Sequence, residues 1–135
     1  MQHRSNLNSL AEALIDKGEV NKAERVLDFS LEKMPDTVVP YDPSAPDSVS
    51  LLFKVGHRQK AIEVATTVGN RSMEMASYLI SEGHGLTFEL RKNLFLLGAM
   101  QRTLYENNET VLAKDFEVAY EKLIADFENS GRAGE

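Results

Sequence analysis

Nine residues, Gly18-Glu19-Val20-Asn21-Lys22-Ala23-Glu24-Arg25-Val26, are echoed by Gly56-His57-Arg58-Gln59-Lys60-Ala61-Ile62-Glu63-Val64. Glycine, lysine, alanine and valine recur in register at an offset of 38 residues. Self-similarity at a period of roughly 20–50 residues marks stacked supersecondary units, none of which buries its apolar face alone. This repeat constrains the fold more than any other feature of the chain.

Each copy reads as helix, glycine turn, helix. Leu7, Leu10, Ala11 and Leu14 recur at three- and four-residue steps, the spacing of one helical face. Gly18 follows them, and glycine reaches the left-handed conformation that ends a helix without steric cost. Ala23, Val26, Leu27 and Leu31 mark the second helix, which Pro35 stops by lacking an N–H and disfavouring helix in the residue before it. Residues 36 to 46 carry Pro40, Pro43 and Pro46 and read as an irregular connector. Ser44 and Asp47 resemble a capping box for a short third helix that ends near Gly56.

From Arg58 the apolar steps Ile62, Ala65, Gly69, Met73, Ala76 and Ile80 keep one face. They predict one long helix to about Ser81. Gly69 weakens it by about 1 kcal/mol relative to alanine, with a kink as the alternative. Gly83-His84-Gly85 is a break. Leu86, Leu90, Leu94, Leu97 and Leu104 predict a fifth helix, closed by Asn107-Asn108. Leu112, Phe116, Ala119, Leu123 and Phe127 predict a sixth. The expected organisation is one domain over 1–129, with repeats at about 4–37 and 44–81, a third hairpin at about 86–128, and a flexible tail over 130–135.

The first copy resembles the tetratricopeptide repeat. Leu7, Leu10, Ala11 and Leu14 occupy the first-helix positions, Gly18 the turn, Ala23 and Leu27 the second helix, and Pro35 the stop. The second copy fits at Val49, Leu52, Gly56 and Ala61 but places Ala65 where a large residue is usual, and the third hairpin carries no clean signature. The resemblance implies an all-α chain of three stacked antiparallel helical hairpins, about six helices, in a right-handed tetratricopeptide-like array. The runs Leu-Ala-Glu-Ala-Leu-Ile-Asp-Lys-Gly and Leu-Glu-Lys-Met-Pro-Asp-Thr-Val-Val-Pro-Tyr-Asp also resemble the soluble C-terminal region of large bacterial polytopic membrane proteins. The membrane part of those proteins is similar to protein mannosyltransferases. That resemblance implies a fragment of a larger protein, with any glycosyltransferase activity residing outside these residues.

Composition narrows the function. With 15 basic and 21 acidic residues the net charge is −6, which opposes nonspecific binding to nucleic acid or an anionic membrane surface. No cysteine is present, so disulfides, thiolate chemistry and cysteine-based zinc sites are excluded, while reduced and oxidising compartments both remain compatible. The longest apolar run, Leu94 to Met100, falls far short of the roughly 20 residues of a membrane-spanning helix.

Catalytic signals are missing. Neither a nucleophile-elbow nor a phosphate-loop motif occurs. His3, His57 and His84 show no i, i+4 pairing and read as surface histidines in a terminus, a turn and a glycine break. Acidic pairs such as Asp115 and Glu117 fall on polar helix faces, where an unshifted carboxylate is no general acid. No catalytic residue, metal or cofactor is therefore expected. The expected role is protein–protein interaction or scaffolding for a protein or peptide partner, or an accessory role beside a membrane glycosyltransferase-like part, positioning its substrate or assembly.

In tetratricopeptide arrays the first helix of each hairpin lines the concave face. The resemblance therefore implies a groove lined by Asn8, Glu12, Ile15 and Asp16 from repeat one, and by Ser50, Phe53 and Lys54 from repeat two. Ile15 and Phe53 are either apolar anchors for a bound segment or core residues covered by the fifth helix or the connector. Asn8 and Glu12 stand where some family members grip a C-terminal carboxylate, and Glu12 would repel one.

Overall fold

The computed structural model describes the backbone of residues 2–33 and 44–133, with side chains over 6–30 and 44–130. The Pro35 stop and most of the proline-rich connector lie outside the described residues, as do the side chains of His3 and Leu31. Among the described residues six helices follow in order: α1 (Gln2–Asp16), α2 (Val20–Lys33), α3 (Ala45–Lys54), α4 (Arg58–Glu82), α5 (Phe88–Glu106) and α6 (Thr110–Ala133). No strand occurs among the described residues. The fold class is all-α with hairpin-like helix pairs. By its contacts the chain divides into two compact units, residues 1–65 and 66–135.

Three turns share one build. Gly18, Gly56 and Asn108 hold φ of 81°, 83° and 63°. At each, that residue's N–H bonds back to the carbonyl three residues before it, in Ile15, Phe53 and Tyr105. The next N–H, of Glu19, His57 and Glu109, reaches Leu14, Leu52 and Leu104 at 2.8–2.9 Å. These paired bonds satisfy carbonyls that a helix end otherwise orphans. The carbonyls of Glu19, His57 and Glu109 then accept from the N–H of Ala23, Ala61 and Ala113 to open the following helix. All three alanines are completely buried. The third hairpin thus repeats the turn of the first two, with asparagine replacing glycine as the residue that tolerates a left-handed backbone.

In unit 1, α1 packs on α2 and both meet α3. Ala11, Ala23, Leu27, Val49, Leu52 and Ala61 are buried in its core. Asn8 is only 5 % exposed and joins α1 to α3. Its amide donates to the Ser44 carbonyl at 3.2 Å, and its carbonyl accepts from the Ser48 hydroxyl at 3.0 Å. Ser44 occupies the α3 cap position, but its backbone is helical and its side chain makes no capping bond. The capping box expected there does not form, because a capping side chain needs a non-helical backbone and Ser44 is helical.

In unit 2, α5 pairs with α6. Thr87 caps α5, accepting from the Leu90 N–H at 3.2 Å. Leu86, expected on the apolar stripe, lies before that cap and is 50 % exposed. Leu90, Leu97, Met100 and Leu104 are fully buried. Helix α4 runs unbroken through Gly69, and the reason for a glycine there is contact. A Cβ at this position would lie 2.2 Å from the Phe116 ring of α6. Helix α6 extends four residues beyond Asn129, into the segment the sequence assigns to a flexible tail.

Candidate functional site

The seven groove residues separate in the structure. Asn8, Glu12, Ser50 and Lys54 line one shallow concavity between α1 and α3, together with Ser9, Asp47 and Leu51. Ile15, Asp16 and Phe53 are not part of its lining. Its volume of 170 Å³ is below the range of about 300–1,000 Å³ typical of ligand pockets. The Asn8 carbonyl and one of its two amide N–H groups serve the α1–α3 junction. Ile15 and Phe53 are half-buried rather than displayed. The concavity is therefore a polar seam with Glu12, Asp47 and Lys54 at its edge, offering no apolar anchor beyond Leu51.

A second hollow, in unit 2, lies between α4 and α6. Met73, Ala119 and Leu123 line it with Tyr78, Ser77 and Lys122, and its volume is 520 Å³. Lys122 is held at 3.4 Å by Asp126. Tyr78 is 58 % exposed, and its hydrogen bond to Glu82 pushes the phenol above its ordinary pKa.

Helix α5 carries the most exposed aromatic surface. Phe88 and Phe95 are 75 % and 55 % exposed and stand seven residues apart, on one helical face. Arg91 and Arg102 share that face at helical spacing and are exposed. At the C-terminal end of α5, the Tyr105 hydroxyl donates to the Glu117 carboxylate of α6. This bond raises the phenol pKa and lowers that of the carboxyl, with Lys114 adding to the second effect.

One cluster brings together groups far apart in sequence. His57, in the turn before α4, places Nε2 at 2.9 Å from Glu24 Oε1 and Nδ1 at 3.4 Å from Asp28 Oδ1. Glu24 and Asp28 share one face of α2 at i, i+4 spacing. The imidazole, part-exposed in its turn, bridges α2 and the α3–α4 turn.

No known protein family matches this chain, and no characterised protein or solved structure is detectably similar to it. The chemistry must be read from these residues alone. Phe88, Phe95 and the His57 cluster were not singled out by sequence reasoning. For the phenylalanines a signal existed, because positions 88 and 95 fall off the Leu90, Leu97, Leu104 stripe. For the cluster none existed, because helix periodicity does not relate residue 57 to residues 24 and 28.

Proposed function

We propose that this chain is a non-catalytic protein-interaction domain of tetratricopeptide-like build. The outward face of α5 carries this reading. Two phenylalanines with two arginines between and beyond them, all exposed, have the composition of interface hot spots, where aromatic residues and arginine are enriched. An exposed phenylalanine loses nothing in folding when truncated, so its presence is better explained by a partner than by the core. The repeat-like build is supported by the shared turn at Gly18, Gly56 and Asn108, with a leucine four residues before it and a buried alanine five residues after it. The α1–α3 concavity is the weaker surface for this role, being small and polar.

The test is a double substitution, Phe88→Ser with Phe95→Ser, in the full chain. The melting temperature should stay within about 2 °C of the parent, since exposed substitutions cost about 0.5 kcal/mol or less. Capture of a partner from extracts of the source cell should fall at least tenfold, and Lys54→Glu in the concavity should leave it unchanged. Capture that survives the double substitution and fails with Lys54→Glu would move the site to the concavity. A large loss of stability would show the phenylalanines to be core residues.

A further inference from the structure

We infer that His57 and Asp28 form a binding site for a divalent transition metal, zinc above all, with Glu24 orienting the imidazole. The argument starts from the hydrogen inventory of histidine. A neutral imidazole has one N–H donor and one lone pair, yet carboxylates approach both nitrogens of His57. The contact from Nε2 to Glu24, at 2.9 Å, is the shorter of the two and within hydrogen-bond distance, which assigns the donor to that side. Nδ1 is then a lone pair facing a carboxylate oxygen, with nothing positive between them.

Nδ1 is moreover buried at the atomic level and makes no hydrogen bond. A buried polar atom without a partner calls for an explanation, and an ion is one of the few available. The spacing fits that explanation. Zinc binds imidazole nitrogen and carboxylate oxygen at about 2.0–2.1 Å, so two ligands at neighbouring corners of a tetrahedron stand about 3.4 Å apart. Nδ1 and Asp28 Oδ1 are 3.4 Å apart. The remaining contact matches as well, because a metal-bound histidine donates its other N–H to a carboxylate that fixes the ring. Glu24 supplies that carboxylate. The three side chains offer donor atoms that lie within 4.8 Å of one another.

Access and charge are compatible with an ion. His57 also lines an open hollow with Gly56, Arg58, Gln59, Lys60 and Glu63, beside the cluster. Of the cations there, Lys60 is paired with Glu63 at 3.7 Å. Glu24 and Asp28 together supply two negative charges against one divalent ion. A histidine nitrogen beside a carboxylate oxygen suits zinc or its neighbours in the first transition row better than magnesium, which prefers oxygen alone.

The experiment titrates zinc chloride alone into the full chain, followed by calorimetry and by the imidazole nitrogen spectrum. One equivalent should bind, and the His57 Nδ1 resonance should move to a ligated position while Nε2 stays protonated. His57→Ala and Asp28→Asn should abolish binding, and Glu24→Gln should weaken it about tenfold to a hundredfold. His3→Ala with His84→Ala should leave it intact. Magnesium should not compete at equal concentration. No binding at millimolar zinc, binding that survives His57→Ala, or a His57 ring protonated at both nitrogens in the presence of zinc would each overturn the assignment. Because the nitrogen spectrum is read on the parent chain, a variant that fails to fold leaves the test decisive.

Discussion

Gly69→Ala should destabilise this protein, against the rule that replacing a mid-helix glycine by alanine stabilises by about 1 kcal/mol. At Gly69 the added Cβ would meet three carbons of the Phe116 ring, at 2.2, 2.4 and 3.0 Å. Carbon atoms pack comfortably at about 3.5–4.0 Å, so the ring must retreat by more than an ångström. Phe116 is 2 % exposed and has no solvent side to retreat into. Overpacking a filled core costs about 1–3 kcal/mol, and a clash with three ring atoms belongs in the upper half of that range. Setting this against the helix gain leaves a net loss of about 1–2 kcal/mol. Urea unfolding followed by circular dichroism measures it. A double-mutant cycle with Phe116→Leu separates clash from propensity, because leucine removes the ring carbons that collide. The pair should be more stable than the sum of the single changes by about 1 kcal/mol or more. Gly69→Ala as stable as the parent, or strict additivity in the cycle, would refute the close approach and return Gly69 to a tolerated helix weakness.

Three further outcomes are expected. Asn108 sits at φ 63°, so Asn108→Gly should be neutral or mildly stabilising in thermal melts, whereas Asn108→Val should lose about 1–2 kcal/mol; equal effects would remove the left-handed turn from the explanation. Leucine at Ala23, Ala61 or Ala113 should each cost about 1–3 kcal/mol by urea titration, with Val111→Ala, at an 80 % exposed site, within about 0.5 kcal/mol of the parent. The Tyr105–Glu117 bond should hold between the ordinary carboxylate and phenol ranges. Glu117, lowered on folding, contributes above its unfolded pKa and loses that contribution as pH falls through the folded one, while Tyr105, raised on folding, loses its contribution as pH climbs through its folded pKa. Ultraviolet titration should place Tyr105 ionisation above that of a free phenol, and Glu117→Gln should bring it back down.

Helix existence was legible because it is a local, periodic property. The 38-residue echo named the first two turns, and the alanine five residues past each glycine is fully buried in both. The third turn was placed at Asn107-Asn108, but its kinship with the first two escaped for a chemical reason. A search for glycine passes over Asn108, although asparagine reaches the same backbone region by hydrogen-bonding locally, and the leucine at 104 and alanine at 113 keep the spacing. Gly69 was misjudged in the other direction. Propensity prices a glycine by what it does to its own helix, and nothing within α4 reveals that the ring of residue 116 occupies the space of its missing Cβ.

The sites were less legible than the fold because a site depends on which elements meet. Assigning Asn8 to a groove followed from its helical register, and the register was sound, since Asn8 does lie at the α1–α3 seam. What register cannot supply is the identity of the groups waiting there. Ser44 and Ser48 present an acceptor and a donor, and a buried amide that left them unmet would cost about 1–3 kcal/mol per orphaned group. The amide's carbonyl and one of its N–H groups are therefore engaged within the fold. His57 illustrates the converse. Its place in a turn gave every reason to treat it as solvent-facing, yet that turn rests against the α2 face where i, i+4 spacing has stacked two carboxylates. A residue's own segment fixes where its backbone goes, and the neighbouring segment decides whether its side chain is structure or chemistry.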